Sequence, residues 1–183
     1  TYFEPFIGGA ALFFAVRPKK AVLGDVNLRL VRTYRGIQSD VEAVIAALER
    51  HKKRHGSDYF YKLREKNVDR TSDAELAAWF IYLNKTGFNG LYRVNSKDRF
   101  NVPLGRYAKP NICDEENLRA CSAALAGVTI VHGDFAKVVE GASRGDFVYF
   151  DPPYVPLSRT SDFTGYTSAG FGPDDQRRLR DTA

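Results

Sequence analysis

The chain is poor in cysteine and contains no long apolar run. Its two cysteines, Cys113 and Cys121, have neither CxxC spacing nor a neighbouring histidine pair. A zinc site is therefore not expected, and two ordinary thiols fit a reducing cytoplasm. No stretch approaches 18 apolar residues, which argues against a membrane span, and the first residues lack the basic and apolar regions of a secretory signal.

Two phosphate-binding motifs are also missing. The sequence contains no GxxxxGK[ST], which excludes the phosphate-loop ATPases, and its first glycine turn does not have the GxGxxG spacing of dinucleotide sites. The hydrophobic fraction, 44%, is high enough for a packed core in a chain of 183 residues. The sequence therefore predicts a folded protein that is not a phosphate-loop ATPase.

Positive charge is concentrated in one segment. Residues 50–70 contain eight basic and three acidic residues, and that excess of five equals the formal net charge of the whole chain. A localised basic surface fits a polyanion such as nucleic acid, and a solvated helical face is the alternative. His51 and His55 lie in this segment, where we expect surface phosphate contacts or solvation rather than metal binding.

Strand and helix signals alternate at both ends of the sequence. Strands are predicted at 2–6, 21–23, 128–131 and 146–150, with a helix from 10 to 16 after the first strand and a final helix from Pro173. This order predicts βαβ units and a parallel sheet. The fold class is therefore α/β, a Rossmann-like fold.

The middle of the sequence has helical patterns instead of alternating strands and helices. Apolar residues from 37 to 48 have helical spacing, Ser72 to Glu75 has the pattern of a capping box, and residues 86–111 predict a structured loop or hairpin. Asp114 is the expected N-cap of a later helix. We therefore predict an α/β domain formed by 1–36 and 114–183, with a mainly helical insert at 37–113.

Acids or glycines follow each predicted strand. Glu4 leads into Gly8-Gly9, and Asp25, Asp134 and Asp151 end the other strands. Ligands of open α/β sheets bind outside the carboxyl ends of the strands, where an acid can accept ribose hydroxyls. The pattern suits a cofactor that contains adenosine, although the first glycine turn alone is equally compatible with an ordinary tight turn.

The segment Asp151-Pro152-Pro153-Tyr154 is more specific. Two prolines after a buried strand fix the backbone and remove two donors, so a carboxylate and carbonyl oxygens remain as acceptors. Acceptors that bind both hydrogens of a ring amine direct its lone pair at a methyl donor, and the tyrosine offers a face for stacking. A base in a duplex reaches such a pocket only by flipping out.

These motifs resemble those of amino-methyltransferases. Residues 4–9 (EPFIGG) and 151–154 (DPPY) are similar to the cofactor and catalytic motifs of that class, and residues 83–95 and 100–105 are similar to the target-recognition region of the Dam-type DNA adenine methyltransferases. Phe163, Thr164, Tyr166, Phe171 and Gln176 also resemble the family. The likeness spans nearly the whole sequence, in the same motif order.

The resemblance implies a function and a set of roles. It implies transfer of a methyl group from S-adenosylmethionine to adenine N6 in double-stranded DNA, with GATC as the target, without a metal. It assigns the target adenine to Asp151, Pro152, Pro153 and Tyr154. It assigns the cofactor to Glu4, Pro5, Phe6, Gly8, Gly9, Asp25, Asp134 and Phe135. It assigns DNA contacts to Phe88, Asn89, Leu91, Arg93, Asn95 and Pro103, with Arg93 reading a guanine edge.

The sequence also departs from the family. Ala10 and Ala11 stand where a third glycine or a small polar residue is usual, and the family's flanking segments before the first strand and after the last helix are missing, so we expect a fragment. The alternatives are an RNA or protein-glutamine amino-methyltransferase, which does not account for the basic insert, and an inactive DNA-binding fragment. A cytoplasmic, monomeric protein of bacterial or phage origin is expected, and a role in restriction–modification, repair or regulation stays open.

Overall fold

A computed structural model of the protein describes residues 1–153 and 171–183. Its described residues form two compact units, the first built from 1–31 and 127–183 and the second from 32–126. These boundaries lie outside the predicted insert of 37–113, so the second unit is larger than that insert. Within the described part of the chain, no helix is long and apolar enough to cross a membrane.

The first unit is built on a parallel sheet. Its strands are β1 (Tyr2–Glu4), β2 (Ala21–Asp25), β3 (Thr129–His132) and β4 (Phe147–Val148), in the order β3-β2-β1-β4. Every pairing is parallel, with Phe3 opposite both Val22 and Val148. The predicted α/β class is confirmed. Because the strands are parallel, the carboxyl ends of β1, β2, β3 and β4 lie at the same edge of the sheet.

Three helices lie entirely within the described residues of the first unit: α1 (Ala11–Val16), α7 (Phe135–Val139) and α8 (Pro173–Thr182). Phe13 of α1 and Leu23 of β2 are completely buried, as parallel sheets covered by crossover helices require. The prediction of a strand over 2–6 was too long, because Pro5 has no N–H to continue the ladder after Glu4. The sequence did not indicate α7, whose five residues are too few for a periodic pattern.

The second unit is helical. It contains α3 (Val41–Lys53), α4 (Ser57–Arg64), α5 (Asp73–Thr86) and α6 (Glu115–Leu125), and α2 (Leu28–Ser39) begins before its first residue. Helices α3 and α5 form the main contact, through buried side chains such as Leu48 and Leu76. Helix α6 also packs on α3, which explains why this unit extends past residue 113.

Polar side chains define the starts of these helices. The helical spacing over 37–48 belongs to two helices, because Asp40 ends α2 and caps α3 by accepting from the N–H of Ala43 at 3.0 Å. Asp114 caps α6 as predicted. One of the two hydrogen bonds of the predicted capping box is present at the start of α5, where the Ser72 hydroxyl accepts from the N–H of Glu75. The carboxylate of Glu75, which would make the second, pairs with Arg50.

His51 does not lie on the solvated surface that the sequence suggested. The side chain is 8% exposed, and its Nδ1 shares a hydrogen bond of 2.6 Å with the hydroxyl of Tyr59. Helix α3 places His51 one turn after Leu48 and two turns after Val44, on the face that packs inward. His55 also makes a tertiary contact, since its Nδ1 lies 2.9 Å from the hydroxyl of Tyr82.

Gly36 allows α2 to approach the start of α5 closely. A Cβ atom at this position would lie 2.6 Å from the carbonyl oxygen and 2.8 Å from the carbonyl carbon of Asp73. Both are backbone atoms that cannot move without displacing α5. We therefore expect Gly36→Ala to lower the free energy of unfolding by about 2 kcal/mol, measured by urea denaturation.

The matched control is Gly141→Ala, where a new Cβ atom meets nothing within 4 Å. Its free energy of unfolding should equal or slightly exceed that of the wild type, because alanine restricts the unfolded chain. A Gly36→Ala variant as stable as Gly141→Ala would show that α2 and α5 do not meet as closely as described.

Candidate functional site

The end of β1 carries a buried carboxylate. Glu4 is 3% exposed, and its Oε2 accepts a hydrogen bond of 2.7 Å from the hydroxyl of Tyr2. Burial raises the pKa of Glu4, while the hydrogen bonds from Tyr2 and from the backbone N–H of Phe13 oppose this rise. The charge of Asp151 raises the pKa further, so these two predicted site residues interact electrostatically.

Tyr2 was not predicted as a site residue. Alternation along a strand places residues two apart on the same face, so its position relative to Glu4 is a signal that the sequence did contain. Burial, the hydrogen bond to Glu4 and the nearby charges all raise the pKa of the Tyr2 phenol well above its ordinary value. The phenol therefore stays protonated and acts as a donor that holds the Glu4 carboxylate in place.

The glycine turn and the end of β2 are joined by backbone hydrogen bonds. The N–H of Ile7 donates to the carbonyl of Gly24 at 3.0 Å, and the N–H of Gly8 donates to the Asp25 carboxylate. Asp25 also accepts from the N–H of Asn27 at 2.8 Å. Burial raises the pKa of Asp25 in spite of these donors. Gly9 has open space where a side chain would be, so the turn can be approached closely.

Three aromatic rings cluster beside this turn. Phe6 stacks on Phe135 with 5.6 Å between ring centroids, and Phe171 meets Phe6 edge-on at 5.7 Å. Phe135 is 3% exposed. A flat heterocycle can pack against such rings. The structure thus brings together Phe6 and Phe135, which the resemblance assigns to the cofactor, and adds Phe171.

Asp134 is engaged by groups that the sequence did not indicate. One carboxylate oxygen caps α7, accepting from the N–H of Lys137 at 3.1 Å, and the other pairs with Arg178 of α8. Burial opposes ionisation, but the bonds from Arg178 and Lys137 outweigh it and lower the pKa of Asp134. The Arg178 guanidinium lies 5.1 Å from the centre of the Phe135 ring.

Neither contact of Arg178 has a local sequence signal. The arginine lies 44 residues after Asp134, and only the packing of α8 beside α7 brings the two together. With both oxygens of Asp134 occupied, a neutral adenine amine would have to compete with a guanidinium for one of them. A contact between Asp134 and the cofactor's adenine therefore requires that Arg178 move or share the carboxylate.

The proline turn follows β4 at the same edge of the sheet. Asp151 is exposed, Pro152 and Pro153 are half-buried, and the amide of Gln176 on α8 donates to the carbonyl of Pro153 at 3.4 Å. That long contact engages one of the acceptors predicted for the target amine. The predicted residues Tyr154, Phe163, Thr164 and Tyr166 lie outside the described residues.

The predicted recognition segment forms an irregular hairpin after α5. Antiparallel bridges join Gly87 to Leu104 and Val94 to Phe100, and a 3-10 turn covers Phe88–Gly90. The N–H of Phe88 donates to the carbonyl of Pro103 at 2.9 Å. Three of the residues assigned to DNA are exposed apolar side chains of this hairpin: Phe88, Leu91 and Pro103.

Arg93 is exposed, and its Nε donates to Oδ1 of Asn101 at 2.9 Å. This bond orients the guanidinium, whose two terminal nitrogens form the fork that suits a guanine edge. Asn95 is more constrained. Its side-chain oxygen accepts from the N–H groups of Lys97 and Arg99, so this oxygen stabilises the hairpin turn.

A pocket of about 820 Å³ lies beside the hairpin in the second unit. Asn89, in the left-handed conformation with φ of 53°, lines it together with Asn84, whose amide donates to the carbonyl of Gly90 at 2.5 Å. Its other polar side chains are three cations, a further amide and a phenol: Lys85, Arg106, Lys109, Asn111 and Tyr107. Cations and amides of this kind suit a phosphodiester backbone.

Known proteins resemble this chain over nearly its whole length. Residues 1–183 match the family described as D12 class N6 adenine-specific DNA methyltransferase. The chain is 48% identical to the type II methyltransferase M1.LlaDCHI of Lactococcus lactis subsp. cremoris and 43% identical to the type II methyltransferase M.MjaIII of Methanocaldococcus jannaschii. These alignments cover 98% and 97% of this chain and 66% of each relative.

A DNA adenine methylase of Haemophilus influenzae is 35% identical over 98% of this chain and 64% of its own length. The chain thus spans slightly less than two thirds of the length of these relatives.

Proposed function

The chain belongs to the D12 class of N6 adenine-specific DNA methyltransferases, and on that premise we propose that it transfers a methyl group from S-adenosylmethionine to adenine N6 in double-stranded DNA. The observation that carries this proposal is the meeting of Glu4, Asp25 and Asp151 with the glycine turn at the ends of parallel strands. The basic second unit favours DNA over the protein substrate considered from the sequence.

The residues at the end of the sheet fit S-adenosylmethionine. The buried carboxylate of Glu4, held by Tyr2, is suited to the ammonium of its methionine part, and Asp25 is suited to the ribose hydroxyls. Phe6 and Phe171, which are half-buried and pack against the buried Phe135 ring, offer apolar faces to its adenine. The bound cofactor supplies an electrophilic methyl group.

The proline turn orients the amine that accepts this methyl group. The Asp151 carboxylate and the Pro152 carbonyl accept hydrogen bonds from the two amine hydrogens. The Gln176 contact holds Pro153 and thereby fixes the turn. These bonds draw electron density onto the nitrogen and direct its lone pair, so Asp151 acts through positioning and electrostatics. Tyr154 is assigned the stacking of the flipped base.

Radiolabelled S-adenosylmethionine tests the proposal. The protein is incubated with a duplex that contains one GATC site and with a duplex in which this site is GTTC. We expect label in the first duplex alone. Cofactor binding without transfer to either duplex would contradict the proposed activity, and loss of cofactor binding as well would contradict the cofactor assignment.

The hairpin is proposed to read the target through Arg93. The discrimination is measured between a GATC site and a site in which the guanine is replaced. We expect Arg93→Ala to lower this discrimination by about 1–3 kcal/mol, because a bidentate contact to guanine is lost. The measurement is kcat/KM on the two duplexes. Lys97→Ala, which removes an exposed cation from the same hairpin, should weaken activity on both sites equally. Unchanged discrimination in Arg93→Ala would assign the guanine contact to another residue.

A further inference from the structure

A second pocket of the helical unit lies at the opposite end of α5 from the hairpin. It has a volume of about 300 Å³, and His51, Tyr59 and Leu63 contribute to its lining. Four cationic side chains also line it: Arg50 and Arg54 at the end of α3, Lys62 on α4 and Lys66 just after α4. Charges from three segments therefore converge on one concave surface.

Most of this charge is not balanced. Glu75 is the acid of the pocket, and it pairs with Arg50. Arg54, Lys62 and Lys66 form no ion pair within residues 1–153 and 171–183. These three side chains are exposed, and all of them line the same pocket. An anion in the pocket would relieve their repulsion.

The lining contains an unsatisfied polar atom as well. His51 is buried, its Nδ1 is bonded to Tyr59, and its Nε2 has no hydrogen-bond partner in the described structure. The Nε2 atom itself is buried, so an anion held by the cations of the pocket would not bond to it directly. His51 therefore lies close enough to report on the pocket without being one of its ligands.

We propose that this pocket binds a backbone phosphate of the DNA duplex. Lysine and arginine side chains hold phosphates without reading sequence, and the open pocket admits a phosphodiester. Glu75 and Lys85 mark the two pockets on α5, and ten residues of helix separate them by about 15 Å. Duplex DNA covers that distance in about four base pairs, which is the spacing that a duplex in contact with both pockets would have to span.

The salt dependence of DNA binding tests the proposal, which rests on the proposed function in taking DNA as the partner. Dissociation constants are measured between about 50 and 200 mM salt for the wild type and for the double variant Lys62→Gln/Lys66→Gln. We expect the slope of log K against log salt to become shallower by about 1 to 2 in the variant. The loss of DNA affinity in the variant should be equal for duplexes with and without GATC, because phosphate contacts carry no sequence information.

The matched control is Lys52→Gln/Lys53→Gln. It removes the same charge from the end of α3, at exposed positions that do not line the pocket. Its slope should stay close to that of the wild type. An unchanged slope in Lys62→Gln/Lys66→Gln, or an equal change in both double variants, would overturn the proposal.

Two further outcomes separate the possible failures. If the wild type methylates DNA and its slope does not depend on Lys62 and Lys66, this inference fails and the proposed function stands. If the wild type binds neither duplex, both fail. Inorganic phosphate provides the last comparison: if it shifts the NMR signals of His51 while the DNA slope is unaffected by the variants, the pocket is a site for free anions, which overturns the assignment to DNA.

Discussion

Asp151→Ala is expected to reduce kcat for methyl transfer by a factor on the order of 10²–10³, with a much smaller change in the dissociation constant of the cofactor. The substitution removes the carboxylate that accepts a hydrogen bond from the target amine. It keeps the hydrogen bond from Gly8 to Asp25 and the packing of Phe6 on Phe135 and Phe171. Tritium transfer measures the first quantity and cofactor titration measures the second.

The matched variant is Asp151→Asn. Its amide oxygen is still an acceptor, so it should keep far more activity than Asp151→Ala. The two variants have the same charge, and both remove the repulsion that raises the pKa of Glu4. A difference between them therefore reports the acceptor alone. Equal loss in both would mean that the negative charge is the feature that matters, and full activity of Asp151→Ala would remove Asp151 from the mechanism.

His51 is expected to make the protein sensitive to acid. Burial lowers the pKa of His51 from its ordinary value of 6.5 to about 4. The unfolded chain therefore binds a proton that the folded protein excludes as the pH falls through this range. The contribution of His51 to stability is fully present above pH 6.5 and is lost as the pH falls towards 4, by about 1.4 kcal/mol per pH unit and about 3 kcal/mol in all.

His51→Phe provides the comparison, because phenylalanine keeps an aromatic ring beside Tyr82 and does not titrate. The free energy of unfolding is measured by urea denaturation from pH 7.5 to 4 for both proteins. The difference between the curves cancels the other titrating groups. Below pH 6.5 the free energy of unfolding of the wild type should fall relative to that of His51→Phe. A difference that is constant with pH would show that His51 titrates equally in the folded and unfolded states.

The first unit was largely predictable from local signals. Apolar strands that end in an acid indicate a parallel sheet with its site at the carboxyl ends, and Glu4, Asp25 and Asp151 lie there. Arg178 could not be predicted, because its contacts with Asp134 and Phe135 depend on where α8 packs. A residue 44 positions away has no pattern of spacing that reveals such a contact.

The second unit was harder to predict for a related reason. The basic segment of residues 50–70 has the pattern typical of a solvated helical face, since charged residues alternate with a few apolar ones. Helix α3 nevertheless turns His51 inward, and α4 adds Phe60 to the core. The number of basic residues in this segment predicts a positively charged surface, whereas the convergence of Arg54, Lys62 and Lys66 on one pocket depends on how three segments pack.

Ala10, one of the two alanines that stand where the family usually has a third glycine or a small polar residue, has a left-handed backbone with φ of 50°. This conformation costs an L-amino acid about 1–2 kcal/mol, and replacing alanine by glycine would recover this while losing about 0.4–1 kcal/mol to the freer unfolded chain. The two residues are therefore nearly interchangeable here. What the first turn needs is a shape of the main chain, and a search pattern that demands glycine at this position would overlook proteins that reach the same shape with alanine.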